Sequence, residues 1–116
     1  MPMIISIEEL DDRWKESNNL MVLLPLLEYS YPEVLQEIKS SNSITENNLI
    51  SMVEYSLRFP SRHWALSAVY WMENGFTVNK AIYESLIAIA KDKADSQKLR
   101  HKATVQANKW QRRNGI

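Results

Sequence analysis

With 116 residues, 45% of them hydrophobic and 24% charged at no net charge, the chain has the composition of a single globular domain spanning 1–116. That length is enough to bury roughly two-thirds of the unfolded surface. The absence of cysteine excludes a disulfide framework and thiolate metal sites, and two glycines are too few for a phosphate-cradling loop or a dinucleotide turn. The longest apolar run, Leu20 to Leu27, is far shorter than the ~20 residues of a membrane span, and the N-terminus has no basic region of the signal-peptide kind, so the expectation is a cytoplasmic protein with no membrane association.

In chain order, Met3 to Ile7 is the one candidate strand, and it abuts a helix start. Ser6-Ile7-Glu8-Glu9 has the spacing of a capping box, in which hydroxyl and carboxylate satisfy reciprocal amides. Ile7, Leu10 and Trp14 then form a narrow apolar stripe among acids, and Ser17-Asn18-Asn19 ends the helix. Leu20 to Tyr29 is apolar nearly throughout, with Pro25 expected to kink or restart it. Ser30-Tyr31-Pro32-Glu33 repeats the capping spacing and predicts a short helix to about Lys39 that buries Val34, Leu35 and Ile38. After the polar linker Ser40-Ser41-Asn42, Ser43-Ile44-Thr45-Glu46 predicts another capped helix, which stops at Phe59-Pro60.

Ser61 to Gly75 reads as the central helix. Trp71, Trp64, Ala68, Met72, Ala65 and Val69 cover an arc of roughly 160°, Leu66 and Tyr70 extend the apolar character, Ser61 is the expected cap, and Asn74-Gly75 closes the helix. Thr77 is the expected cap of the next helix, Val78 to about Lys91, with Ile82, Tyr83, Leu86, Ile87, Ile89 and Ala90 on one side. The last helix, Ser96 to Arg113, keeps a stripe of Leu99, Ala103, Ala107 and Trp110. The fold class is therefore all-α: a compact array of about six to seven helices with short loops and no significant sheet.

Arg62-His63-Trp64-Ala65 recurs 38 residues on as Arg100-His101-Lys102-Ala103, and Ala65, Val69 and Met72 map at the same offset onto Ala103, Ala107 and Trp110. A period near 40 is that of HEAT and armadillo units, and residues 61–113 resemble a HEAT-like helical repeat. That resemblance implies either a HEAT-like stack or, in its absence, an orthogonal helical bundle.

Charge is divided along the chain. Residues 1–46 hold nine acids against three bases, giving −6, and residues 47–116 hold five acids against eleven bases, giving +6. The candidate partner-binding face is acidic and carries two tyrosines about a turn: Asp11, Asp12, Glu16, Glu28, Tyr29, Tyr31, Glu33 and Glu37. The alternative is the basic face of the last helix, Lys98, Lys102, Lys109, Arg112 and Arg113. Such charged faces are also what solvated helix surfaces look like, and the two halves could face each other.

Nothing in the sequence points to catalysis. His63 and His101 stand near helix starts, where capping or packing is the commoner role, and neither has metal-ligand spacing. Glu33 and Glu37 lie four apart on one helix face without a third ligand. The reading is of a non-enzyme with no catalytic or metal residues and no cofactor. Small size, helical class, lack of cysteine and an acidic half are similar to the helical immunity proteins of bacterial contact-dependent-inhibition toxins. That resemblance implies neutralisation of a basic toxin domain such as a nuclease. The alternatives are an adaptor or scaffold subunit, and a HEAT-like nucleic-acid binder using the basic helix.

Overall fold

The computed structural model describes residues 6–41 and 43–115. Among these there are six α-helices and one 3-10 helix and no strand: α1 (Ile7–Ser17), the 3-10 segment (Leu20–Glu28), α2 (Val34–Ile38), α3 (Glu46–Arg58), α4 (Arg62–Glu73), α5 (Lys80–Lys91) and α6 (Gln97–Arg113). The expected all-α array is present. Of the strand candidate Met3 to Ile7, Met3 to Ile5 lie outside the described residues, as does Asn42 of the linker.

The helices form three tiers. α3 packs on α4 and α5 packs on α6 as two antiparallel hairpins lying side by side, α3 against α5 and α4 against α6. The 3-10 segment lies on both α3 and α4, and α1 lies on the 3-10 segment. One continuous core runs through the tiers, from Leu10 through Leu23, Leu26, Met52 and Val53 to Ala68, Val69, Leu86 and Leu99. In the central helix Ala65, Ala68, Val69, Trp71 and Met72 are buried as expected, whereas Trp64 is only half-buried. Trp64 instead packs edge-on beside the exposed His63, with ring centroids 4.8 Å apart.

Helix starts follow local capping chemistry, in part at other residues than the spacing suggests. Ser6 accepts from the amide of Glu9 as expected, and Ser96, at the expected start of the last helix, accepts from the amide of Leu99. The third capped start is Thr45, not Ser43: Thr45 and Asn48 exchange side-chain and backbone bonds in a complete capping box, because Ser43 is engaged with Asp11. Thr77 yields to Asn79, whose Oδ1 accepts from Ile82 at 2.8 Å, so α5 begins at Lys80 and Val78 is left to fill the core. Ser61 makes no side-chain cap bond. At Ser30 it is the main-chain carbonyl that accepts from Val34, and α2 starts without a side-chain cap; the Tyr31-Pro32 bond is cis.

Leu20–Glu28 is a continuous 3-10 helix through Pro25, not a kinked α-helix. Three residues per turn align side chains in columns. Leu23 and Leu26 are buried in one column and Leu24 and Leu27 in another, while the third, Val22, Pro25 and Glu28, stays half-buried. Pro25 falls on the outer column, where its ring stands clear of the core packing.

Candidate functional site

Two features of the N-terminal tier bear on function: its uncompensated acidity, and an aromatic groove where its last turn meets α4. The groove has a volume of about 400 Å³ and is walled by Tyr29, Tyr31, Tyr70 and Trp71 over Leu27, with Glu33, Ser30, Ser67 and Asn74 at its edges. Local folding places each wall. The indole of Trp71 is buried and donates from Nε1 to the main-chain carbonyl of Tyr29 at 2.9 Å, which fixes the turn after the 3-10 segment to the last turn of α4. Tyr31 packs against Trp71 and Phe76, with ring centroids at 5.5 and 5.3 Å. Tyr70, one position before Trp71, faces outward and is 40% exposed. Its ring lies near the ammonium groups of Lys102 (4.9 Å) and Lys98 (5.9 Å).

The expected acidic face is therefore only partly assembled. Tyr29, Tyr31 and Glu33 come together in the groove. Glu37 is exposed on α2 and lies close enough to Tyr29 to reinforce the effect of burial, which is the larger cause, in raising that phenol above its ordinary value. Glu28 is half-buried and accepts from His63 Nε2 at 2.8 Å, tying the 3-10 segment to α4. Asp12 and Glu16 stand exposed on α1, outside the groove.

Asp11 does not belong to this face. It is buried, and Oδ1 accepts from the hydroxyls of Ser41 and Ser43 and from the Ser43 amide, while Oδ2 pairs with Lys15 at 3.0 Å. The two serine hydroxyls, aided by the Lys15 ammonium, hold its carboxyl well below the usual carboxylate range against the opposing effect of burial. Asp11 thus pins α1 to the loop before α3. On the basic side Lys98, Lys109, Arg112 and Arg113 are exposed. Lys102 is half-buried and donates to Glu73 Oε2 at 2.9 Å, a bond that raises its pKa.

Among the described residues no Lys or Arg of one half pairs with an acid of the other: Arg13 pairs with Glu9, Lys15 with Asp11, Arg58 with Glu54, Arg62 with Asp95 and Lys102 with Glu73. The one pair joining the halves, Glu28 with His63, involves a histidine and carries charge on both sides only when His63 is protonated.

Tyr70, like its neighbour Trp71, is a groove residue that sequence reasoning misses, since it reads as an extension of the apolar arc of α4. Its signal is its place outside that arc, a large aromatic on the side where solvent is expected. Among the described residues no group of three or more His, Asp or Glu is arranged to hold a metal ion, and no helix is long and apolar enough to cross a membrane. Compared with protein-family models, curated proteins and solved structures, the chain finds no match in any of the three.

Proposed function

We propose that this protein is a non-enzymatic binding module whose N-terminal tier engages a basic protein partner, and that it acts by neutralising that partner, in the manner of an immunity protein against a basic toxin domain. The observation that carries this reading is the separation of charge. The −6 of residues 1–46 is not met by Lys or Arg of the other half among the described residues, so its field is available to steer an incoming basic surface. The side-by-side hairpins α3/α4 and α5/α6 support the HEAT-like reading of residues 61–113. In that reading they are the rigid base on which the acidic tier is mounted.

Association with a basic partner should be fast at low ionic strength and slow with salt, since steering charges are screened over ~8 Å at physiological strength. Reversing Asp12, Glu16, Glu33 and Glu37 to Lys should abolish association and leave helicity intact, because all four are exposed. Reversing Lys98, Lys109, Arg112 and Arg113 should change little. Capture of the partner from the native host followed by its identification decides the class: a basic toxin domain supports the proposal, whereas nucleic acid or a resident multisubunit complex overturns it. In the host, loss of this protein should be tolerated only where the neighbouring toxin is also lost.

A further inference from the structure

The aromatic groove has the chemistry of a receptor for one cationic side chain. Four π-systems wall it, and Glu33, an acid, is the one charged residue among its lining. The negative faces of aromatic rings attract ammonium and guanidinium groups, more strongly where water is partly excluded. The Tyr70 ring is already engaged by the chain's own Lys102 and Lys98, 4.9 and 5.9 Å from its centroid, and neither lysine lines the groove, which leaves Tyr29, Tyr31 and Glu33 to meet an incoming cation. Asn74 donates one of its two amide hydrogens to the Tyr70 carbonyl at 2.8 Å, and its oxygen remains able to accept at the edge of the groove. At about 400 Å³ the space admits a whole lysine or arginine side chain, aliphatic stem included, and its edges are too polar for an aliphatic or aromatic anchor to be preferred.

We infer that the groove bounded by Tyr29, Tyr31, Tyr70 and Trp71 receives a single Lys or Arg side chain of the basic partner, with its stem along the tyrosine rings and its charge directed to Glu33. This rests on the proposed basic partner and names the contact that anchors it. Long-range charge brings the surfaces together, and the inserted side chain sets how long they stay.

The test is an NMR titration of the full chain with the Nα-acetyl, N-methylamide derivatives of lysine, arginine and norleucine, read at the Trp71 Nε1–H and the tyrosine rings. Lysine or arginine should shift these signals saturably in the millimolar range, and norleucine, the uncharged isostere of the stem, roughly fivefold more weakly or worse. E33Q and Y70A should each weaken the cationic probes by roughly threefold or more. In both variants the hydrogen-bonded Trp71 Nε1–H should keep its position, showing an intact groove. Equal response to lysine and norleucine, or no response at tens of millimolar, overturns the inference. A captured basic partner whose salt-sensitive binding is unmoved by E33Q and Y70A overturns the groove while leaving the electrostatic reading intact. A groove that takes lysine in a chain that associates with no basic protein supports the groove and overturns that reading.

Discussion

Arg62, the first residue of α4, grips Asp95 in the connection before α6 through two bonds, Nε to Oδ1 at 2.6 Å and Nη2 to Oδ2 at 3.2 Å. Its Nη1 also donates to the carbonyls of Phe59 and Leu57 at 2.9 and 3.3 Å. One guanidinium thus closes the end of the first hairpin and holds the second beside it. Replacing Arg62 by Leu leaves the buried Asp95 without its counter-charge and should cost about 2 kcal/mol, a loss of roughly 8 °C in Tm. Arg62→Lys should recover only part, since an ammonium cannot reproduce the fork. Calorimetry on both variants checks this, and an unchanged Tm for Arg62→Leu contradicts it.

Asp11 gives stability a definite pH dependence. Its folded-state pKa is depressed below the ordinary 3.8, so the unfolded chain takes up the proton first on acidification. The stabilisation is complete above about pH 5 and is lost progressively as pH falls through and below the ordinary carboxylate value. Asp11→Asn should flatten the acid limb of a stability curve below pH 4 while retaining acceptance from Ser41 and Ser43. Asp11→Ala, which loses those bonds as well, should be the less stable variant at pH 7. Urea unfolding between pH 2 and 7 separates the two; an acid limb unchanged in Asp11→Asn removes this role.

Gly75 closes α4 with φ +105°, and nothing lies within 4 Å of where its Cβ would be. Substitution there tests backbone conformation without steric interference. Gly75→Ala should cost about 1 kcal/mol, seen as a lower urea midpoint at unchanged slope. No loss would mean that the turn relaxes to a negative φ.

Ala68 is fully buried in the middle of α4, where the helix meets its neighbours. Ala68→Arg would bring an unpaired charge into the core and should prevent stable folding; a cooperative melt near the parental Tm would refute the placement.

The helical framework was legible because caps and breakers act locally. Ser6, Ser96, Phe59-Pro60 and Gly75 end or begin their helices from information within four residues. The misplacements share one physical cause, competition from distant partners. Ser43 has the right spacing to cap α3, but Asp11, 32 positions earlier, takes its hydroxyl and its amide, and Thr45 is left to do the capping. Asp11 itself reads as a surface acid when charges are counted. Its periodicity tells otherwise, since it falls beside Ile7, Leu10 and Trp14 on the apolar stripe of α1. The groove was half legible: Tyr29 and Tyr31 flank a turn and stand out, but their meeting with Tyr70 depends on the indole of Trp71 finding a carbonyl 42 positions away.

The 3-10 segment has a further consequence for how the molecule opens. A 3-10 ladder has poorer bond geometry than an α-helix, and at Pro25 one donor is missing altogether, so this stretch has little intrinsic order. What holds it is the docking of Leu23, Leu24, Leu26 and Leu27, all buried, onto α3 and α4. Since α1 in turn rests on the 3-10 segment, undocking of the leucines leaves α1 held by the bonds of Asp11 to Ser41 and Ser43. Amide hydrogen exchange should therefore find α1 and residues 20–28 opening together as one cooperative unit, at a lower free energy than α3 to α6. The surface with which the protein is proposed to meet its partner is thus also the part expected to open first, and a ligand seated there should slow exchange across the whole N-terminal tier.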